Sequence, residues 1–440
     1  MSETADREPR IVVVGAGPSG CFVAGALRRA LPAAQLLVVD RLPCPFGLVR
    51  YGVAADHQST KNITRQFDRI FTKERVDFAG NVRVTASPEP GAVSLDELAE
   101  RADAIVLATG LAADRPLGIP GDTLDGVFGS GAITRALNTH PDADTAGMLD
   151  RLGDHVAIVG MGNVAIDLVR FLAKTPADFA GSDVNDAALA AYQAAPATKI
   201  TVLSRSAIAH AKCDAQMVRE LGQIAGLRVE IEGAGSVDAE ALDDRVQRSR
   251  VEALRALAEQ AQDPRPRVTL RLVFGATPVR VLGEERVAGL RVQRAGAPAT
   301  EPTTTDIAAT SVLSAIGFAA DEHSPLADAS DVGGRVRPGL YRVGWCRRGP
   351  NGTIPDNRAD AVAVAAEVVA DLERGQLGRG PLDPAMPLLP AAIAADAVSY
   401  SDWLQIDQHE CATAAESRSR TKLPTRAQML DVARAGTSGA

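Results

Sequence analysis

The first forty residues alternate short apolar runs with a segment of helical periodicity. Apolar residues 11–14 run directly into Gly15-x-Gly17-x-x-Gly20, and an apolar segment of helical period follows to residue 31. A second apolar run, residues 36–39, stops at Asp40. This order of strand, glycine-rich turn, helix, strand and acid predicts a β-α-β unit that holds a dinucleotide.

Each part of this unit has a physical task. Gly15 allows the tight turn, Gly17 lets the backbone approach a pyrophosphate, and Gly20 lets the helix pack against the strand. The helix N-terminus offers free N–H groups to phosphate, and the Asp40 carboxylate can accept hydrogen bonds from ribose hydroxyls. The unit therefore predicts FAD or NAD as ligand. The predicted contact residues of the turn are Gly15, Ala16, Gly17, Pro18, Ser19 and Gly20.

The segment that follows, residues 41–62, is dense in proline and glycine, which predicts an ordered loop wrapped over the ligand. His57 stands near its end and has two interpretations, as a structural or surface histidine or as a catalytic one. Farther on, an apolar strand at residues 104–108 ends in Ala108-Thr109-Gly110. A strand ending in this way resembles the crossing between the cofactor domains of two-dinucleotide flavoproteins, where Thr109 and Gly110 would lie beside the flavin.

A second copy of the opening pattern begins at residue 155. Strand residues 155–159 meet Gly160-x-Gly162-x-x-Ala165, and an amphipathic helix follows through residue 172. The paired strand, 199–203, ends not in an acid but in Ser204-Arg205-Ser206. A guanidinium flanked by hydroxyls can clasp a 2′-phosphate, which favours NADP(H) over NAD(H); the alternative is an ordinary exposed arginine.

Two such units in one chain predict two bound dinucleotides. We therefore predict an α/β fold with two Rossmann-like dinucleotide-binding domains, the NADP domain inserted into the FAD domain. The strand-rich run 267–294 is expected to complete the second sheet, and a return strand at 312–316 ends at Gly317. The predicted boundaries are 1–110 and 321–440 for the two parts of the FAD domain and 111–320 for the NADP domain.

Composition narrows the class of protein. A chain of 440 residues needs at least two domains, and its net charge of −8 argues against general binding of nucleic acid. The five cysteines are scattered with no C-x-x-C pair, which excludes the usual spacings of zinc, iron–sulfur or dithiol sites and fits a cytoplasmic protein. The sequence contains no run of about eighteen apolar residues, so no membrane span is predicted.

Three motifs together identify a family. They are the segment PFGLVRYGVA at residues 45–54 followed by Asp56-His57, then Gly162-Asn163-Val164-Ala165 with Asp167, and Gly344-Trp345 with Arg348-Gly349-Pro350. With them the chain resembles the adrenodoxin reductase type of ferredoxin–NADP⁺ reductase, which includes actinobacterial ferredoxin reductases.

The resemblance implies functional residues along nearly the whole chain. It implies a pair that handles protons near the nicotinamide and flavin, His57 and Glu220. It implies FAD contacts at Ala16, Asp40, Leu48, Val84, Trp345, Gly352, Thr353 and Ile354. It implies that the NADP pyrophosphate lies on Met161, Gly162, Asn163 and Val164, with Arg205 and Ser206 at the 2′-phosphate.

Two departures from the family pattern fall in the nicotinamide nucleotide pocket. The family usually carries consecutive arginines for the 2′-phosphate, whereas here Arg205 is followed by Ser206. The glutamate usually found three residues before the Glu220 position is Met217. NAD(H) therefore remains a possible second substrate.

The resulting hypothesis is a reductase that passes electrons from NADPH through FAD to a ferredoxin-type iron–sulfur protein, which feeds a cytochrome P450 or another redox enzyme. Arg50, Arg347 and Arg348 are predicted to dock that acidic partner. One alternative is an NAD(P)H-dependent flavoprotein with another acceptor, such as a quinone, a dye or a partner catalytic subunit. Another is a non-enzymatic nucleotide-binding regulator, whose flavin NADPH would not reduce.

Overall fold

A computed structural model describes residues 8–143, 147–233, 235, 239, 242–295, 303–322, 324–326, 333–377, 382–383 and 385–435. The strands are β1 Arg10–Val14, β2 Gln35–Val39, β3 Asp77–Ala79, β4 Val84–Thr85, β5 Val93–Ser94, β6 Ala104–Leu107, β7 Ala113–Asp114, β8 Val127–Gly129, β9 His155–Val159, β10 Lys199–Ser204, β11 Leu227–Glu232, β12 Val268–Phe274, β13 Ala276–Gly283, β14 Val287–Arg294, β15 Thr304–Ala308, β16 Ser311–Ser314, β17 Phe318–Ala319, β18 Arg335–Arg337 and β19 Leu340–Arg342.

The helices are α1 Pro18–Ala30, α2 Gly47–Tyr51, α3 Gln58–Lys61, α4 Thr64–Thr72, α5 Leu95–Ala99, α6 Ser130–Leu137, α7 Asn163–Ala173, α8 Asp186–Gln193, α9 Ala215–Leu221, α10 Arg245–Gln260, α11 Trp345–Arg348, α12 Ile354–Glu373, α13 Ala391–Asp396, α14 Tyr400–Ala412 and α15 Arg426–Ala435. Two 3₁₀ turns lie at Pro176–Phe179 and Ile208–His210.

The first sheet has the strand order β18-β19-β6-β1-β2-β3, and its pairs are parallel except for the edge pair β18–β19. Along β1, Ile11 and Val13 join the core on one face, while Val12 and Val14 join the core on the other. A parallel sheet must be covered on both faces, which is why the strand is apolar throughout. Helices α1 and α12 pack together against this sheet.

The second sheet is wholly parallel in the order β11-β12-β10-β9-β16-β8. Of the strand-rich run 267–294, only β12 joins it. The expectation that the whole run completes this sheet is therefore wrong, because β13 and β14 form a separate antiparallel sheet with β15. Polar residues alternate on these strands and leave one face open to solvent, which suits antiparallel pairing.

The chain crosses between the two sheets twice. After β6 it runs through β7, and after β16 it returns through β17; these two short strands pair antiparallel. Strands of the first sheet thus come from both ends of the chain and enclose the second sheet in sequence, so the predicted insertion is confirmed. The predicted boundaries at 110/111 and 320/321 stay a prediction.

A buried ionic cluster ties the C-terminal tail to α2, to α3 and to the segment before α8. The Lys61 and Lys422 ammonium groups lie 2.7 and 2.8 Å from the Asp183 carboxylate, and Arg50 lies 2.6 Å from Glu410. Burial alone would raise the pKa of Asp183, but the two lysines hold it at about 2. The cluster joins α3 and the tail to the second domain, behind the segment that carries His57.

Candidate functional site

The first glycine-rich turn is built by close backbone contacts. Gly15 has φ +106°, and a Cβ there would lie 2.5 Å from the Ala108 carbonyl oxygen. A Cβ on Gly20 would lie 1.9 Å from the Gly15 carbonyl oxygen. The fold itself therefore requires glycine at both positions, and the Ala108-Thr109-Gly110 strand end lies directly against the turn.

The wrapping segment 41–62 presses on this turn. Phe46 donates its N–H to the Ala16 carbonyl at 2.8 Å, and a Cβ on Gly47 would come within 3.0 Å of the Gly17 Cα. Phe46 itself is left-handed, with φ 82°, which turns the chain back over α1. The prediction of an ordered covering segment is confirmed, although it contains two short helices, α2 and α3.

Asp40 closes the first unit as a buried acceptor. One carboxylate oxygen accepts the Ala16 N–H at 2.8 Å, and the other accepts the Leu42 N–H at 3.0 Å. Burial raises the pKa of Asp40, while these two hydrogen bonds oppose the rise. Each carboxylate oxygen keeps a further lone pair, so the group can still accept from a ribose hydroxyl.

The C-terminal turn meets the same place from the other side. A Cβ on Gly344 would lie 2.1 Å from Ser19 Oγ, and the Gly344 N–H donates to Asp360 at 2.5 Å. The next residue, Trp345, stacks on Phe318 at the domain crossing, with ring centroids 5.6 Å apart. Its indole N–H is buried and has no hydrogen-bond partner among the described residues.

The other residues predicted at the first unit differ in exposure. Val84 is buried, Leu48 and Thr109 are exposed, and Gly110 has φ +66° with no atom within 4 Å of an added Cβ. Helix α12 begins at Ile354, three residues earlier than the predicted start near Asn357, because Asp356 accepts hydrogen bonds from the Thr353 N–H and hydroxyl. Gly352 and Thr353 precede it and are exposed.

The second glycine-rich turn repeats the backbone geometry of the first. Gly160 has φ +118°, and a Cβ there would lie 2.2 Å from the Ala315 carbonyl oxygen. Gly162 differs, because an added Cβ would meet nothing within 4 Å and its φ of −105° is ordinary. Helix α7 follows with no side-chain cap and no acid in its first turn, so its N–H groups are free for an anion.

The end of the paired strand β10 carries the predicted 2′-phosphate residues. Arg205 is exposed and Ser206 is partly buried. The Ser204 hydroxyl donates to the Ser206 carbonyl at 3.0 Å, and the Ser206 N–H donates to the same hydroxyl at 3.2 Å. Ser204 thus fixes the turn, which presents the Arg205 side chain to solvent.

His57 and Glu220 come together across the two domains. The His57 Nε2 atom lies 3.3 Å from a Glu220 oxygen, and its Nδ1 atom lies 3.5 Å from Asp167. Arg170 also donates to Nε2, so this atom stands between a donor and an acceptor. Nε2 can donate to Glu220 when it carries a proton and can accept from Arg170 when it does not.

The residues behind His57 were not predicted as site residues. Arg170 lies 2.6 Å from Asp56 and 3.2 Å from Asp167, and Lys174 lies 2.5 Å from Asp56. Burial raises the pKa of Asp167 to about 6, against the opposing effect of His57 and Arg170. A sequence signal existed, because Asp167, Arg170 and Lys174 recur every three or four positions along the otherwise apolar helix α7 and its C-cap.

Both turns fit the dinucleotides that the sequence predicts. At position 162, neither the backbone angle nor a neighbouring atom of the described protein explains why the residue is glycine. At position 17, an added Cβ would meet only the Cα of Gly47, at 3.9 Å. Close approach of a phosphate explains both glycines. The unpartnered indole N–H of Trp345 provides a donor for a polar group placed between the first turn and the domain crossing.

The predicted docking arginines differ in exposure. Arg50 is 6% exposed and paired with Glu410, so its predicted role in docking is wrong: a buried, neutralised guanidinium cannot reach a partner. Arg347 and Arg348 are partly buried, and both pair with Asp360. The two guanidinium groups therefore share this one carboxylate.

Within the described part of the chain, no group of three or more histidines, cysteines and acids could hold a metal ion. No described helix has both the length and the apolar content needed to cross a bilayer.

Comparisons with known proteins agree with this geometry. Residues 9–332 match the family model of pyridine nucleotide-disulphide oxidoreductases. The chain is 38% identical over 436 residues to the cindoxin reductase of Citrobacter braakii, covering 97% of this chain and 92% of that one. It is 31% identical over 475 residues to the mitochondrial NADPH:adrenodoxin oxidoreductase of Arabidopsis thaliana, covering 98% and 97%.

A solved structure supports the same assignment. FprA of Mycobacterium tuberculosis in complex with NADPH matches with a TM-score of 0.87 and 28% identity, covering 97% of this chain and 100% of that one. The resemblance predicted from the sequence motifs is confirmed. The chain therefore belongs to the pyridine nucleotide-disulphide oxidoreductase family and, within it, to the adrenodoxin reductase type of ferredoxin–NADP⁺ reductases.

Proposed function

We propose that this protein is an FAD-dependent ferredoxin–NADP⁺ reductase that delivers electrons from NADPH to a ferredoxin-type iron–sulfur protein, which feeds a cytochrome P450 or another redox enzyme. One observation carries the proposal: a single chain holds two dinucleotide turns, one ending in the buried acceptor Asp40 and the other in the exposed cation Arg205. The names of its relatives, which include reductases of adrenodoxin and ferredoxin, support the choice of acceptor.

The first turn and its cover hold FAD in this proposal. The pyrophosphate lies on the N-terminus of α1, and Asp40 accepts from the ribose. Trp345 provides its unpartnered indole N–H to the flavin side of the pocket. The proposed FAD contacts are Gly15, Ala16, Gly17, Pro18, Ser19, Gly20, Asp40, Leu48, Val84, Thr109, Gly110, Trp345, Gly352, Thr353 and Ile354.

The second turn holds NADPH. The N-terminus of α7 receives its pyrophosphate at Met161, Gly162, Asn163 and Val164. Arg205 binds the 2′-phosphate, and Ser206 adds a hydrogen bond in place of a second arginine. Because Arg205 acts alone, we expect a modest rather than strict preference for NADPH over NADH.

Bound FAD supplies the conversion of one hydride from NADPH into two single electrons for iron–sulfur acceptors. His57 lies where the two domains meet, and Glu220 and Asp167 hold its two ring nitrogens. We propose that His57 and Glu220 orient the nicotinamide and that His57 Nε2 accommodates the proton that is consumed and returned during turnover. Arg170 keeps the His57 ring in place from the side of the second domain.

We further propose that the acidic acceptor docks beside the first turn of α12. Ile354 and Pro355 line one wall of an open groove there, and Arg65 and Arg69 of α4 line the other. Both arginines are exposed and form no ion pair with the described residues. Arg348 bonds Asn357 in the same turn of α12 and extends the positive charge.

Anaerobic addition of NADPH to the FAD-loaded protein tests the proposed reaction. We expect the flavin absorbance to bleach with NADPH and, at higher concentration, with NADH. Absence of bleaching with both nucleotides would exclude a reductase. Bleaching without transfer to any iron–sulfur protein would instead support a quinone, a dye or a partner subunit as acceptor.

Charge reversal tests the docking site. Arg65→Glu/Arg69→Glu and Arg347→Glu/Arg348→Glu should slow ferredoxin reduction at low salt by about tenfold, and high salt should narrow the difference. Arg280→Glu, an exposed site on β13, is the matched control. Unchanged rates at low salt in both double variants would remove the docking proposal while leaving flavin reduction intact.

The cytoplasmic location predicted from the cysteines stays a prediction.

A further inference from the structure

The segment before α9 is fastened to the second glycine-rich turn at both ends. The Lys212 N–H donates to the Met161 carbonyl at 3.1 Å, and the Asp214 N–H donates to Asn163 Oδ1 at 2.7 Å. Met161 and Asn163 flank Gly162, above which the protein places no atom within 4 Å of an added Cβ. Residues 212–214 therefore form a fixed wall beside this open space.

Side chains on this wall alternate between the core and the open side. Ala211 and Cys213 are buried, and the Cys213 carbonyl accepts from Arg250 at 2.7 Å. Lys212 is exposed and forms no ion pair with the described residues. The neighbouring acid, Asp214, accepts hydrogen bonds from the N–H groups of Gln216 and Met217, so it is occupied as the cap of α9.

A cation at this place would complement the charge of the proposed ligand. A dinucleotide pyrophosphate carries two negative charges, whereas the end of a helix supplies about half a positive charge. The first turn of α7 contains no lysine or arginine, since it reads Asn163-Val164-Ala165-Ile166. Lysine suits a phosphate as a point charge on a flexible stem, whereas arginine suits a fixed planar contact.

We propose that Lys212 binds the pyrophosphate of the nicotinamide nucleotide. This inference rests on the proposed assignment of the second turn to that nucleotide. Lys212 then contributes equally to NADPH and NADH, because both contain the pyrophosphate, while Arg205 responds to the 2′-phosphate alone. The two cations thus contact different phosphates of the ligand. The absence of a second arginine therefore affects discrimination between NADPH and NADH more than it affects the overall affinity for the nucleotide.

Two fragments separate these roles by direct binding. ADP-ribose contains the pyrophosphate without a 2′-phosphate, and 2′-AMP contains the 2′-phosphate without a pyrophosphate. Calorimetric titration of the FAD-loaded protein gives the affinity of each fragment without turnover. For Lys212→Met we expect the affinity for ADP-ribose to fall about five- to tenfold, as for one exposed charge-assisted contact, and that for 2′-AMP to change less than about twofold.

Arg205→Met should give the opposite result, with 2′-AMP weakened and ADP-ribose unchanged. Lys212→Arg should retain most of the affinity for ADP-ribose. Lys199→Met, an exposed lysine at the opposite end of β10, is the matched control and should change neither titration. Thermal unfolding of each variant shows whether it is folded.

Unchanged binding of ADP-ribose to Lys212→Met would overturn the inference while leaving the reductase proposal intact. Equal loss of both fragments would overturn it as well, because a general disturbance of the pocket would then explain the effect. If the unaltered protein binds neither fragment and NADPH does not bleach its flavin, the nucleotide assignment itself fails, and the role of Lys212 fails with it.

Discussion

The two glycine-rich turns of this protein share a backbone and differ in what surrounds them. Gly15 and Gly160 have φ of +106° and +118°, and each packs against the carbonyl of the strand that leaves its domain. The first turn is covered by residues 41–62 and closed by the hydrogen-bonded Asp40. The second lies open above Gly162 and ends in an exposed arginine.

Under the proposed assignment, this difference separates a resident cofactor at the first turn from an exchanging substrate at the second. A covered turn with a fixed buried acceptor favours a ligand that stays bound, because release requires the covering segment to open. An open turn with exposed cations lets a charged nucleotide enter and leave at each cycle. The same β-α-β unit thus serves both purposes, and its surroundings decide which.

The largest effect should come from filling the two turns. Gly15→Val and Gly160→Val each place a Cβ within 2.5 Å of a backbone carbonyl at positive φ, which should cost more than about 3 kcal/mol locally. We expect Gly15→Val to be obtained without flavin or not to fold. Gly160→Val should retain its flavin absorbance and lose reduction by NADPH, while dithionite still reduces it.

Gly375→Val is the control for this comparison, since Gly375 also has positive φ but no atom within 4 Å of an added Cβ. It should cost only the backbone strain, about 1–2 kcal/mol. If Gly160→Val lost flavin as completely as Gly15→Val, the two turns would not serve separate ligands.

An intermediate effect concerns the helices that follow the turns. The inward face of α1 is apolar, whereas α7 presents Asp167 to His57. Burial raises the pKa of Asp167 to about 6, above the unfolded value, so the folded protein holds this proton more tightly. Its contribution to stability is therefore present below about pH 4 and is lost as the pH rises to about 6.

Asp167→Asn should remove that pH dependence. Between pH 4 and 6.5, we expect the unfolding temperature of the variant to gain relative to that of the parent protein, measured on FAD-loaded samples. Parallel curves for the two proteins would show that Asp167 ionises normally. No equivalent variant exists in α1, because the buried face of that helix carries no acid.

The smallest effect should come from restoring the missing cation of the second turn. Ser206→Arg should widen the preference for NADPH over NADH by about fivefold, the size of one exposed charge contact of roughly 1 kcal/mol. Stopped-flow reduction of the flavin by each nucleotide measures this ratio. A ratio equal to that of the unaltered protein would mean that residue 206 does not face the 2′-phosphate.

Local patterns predicted much of the fold and part of the site. The strand 155–159 was predicted with the bounds of β9, and the pairing of two glycine motifs predicted two parallel sheets. Errors arose where period-2 alternation alone could not assign a strand to a sheet, as for β13 and β14. Arg50 was wrongly predicted to dock the acidic partner, because Glu410, which neutralises it, lies 360 residues away in the chain.

The sequence by itself determined the two turns and their different ends, since glycine spacing, apolar runs and a terminal acid or arginine are local features. Only the tertiary structure decided what meets across the domains. It brought His57 to Glu220 over 163 residues and placed Arg170 behind them. It also set Lys212 beside Met161 and Asn163, because contacts between distant segments depend on how the sheets and their connections pack.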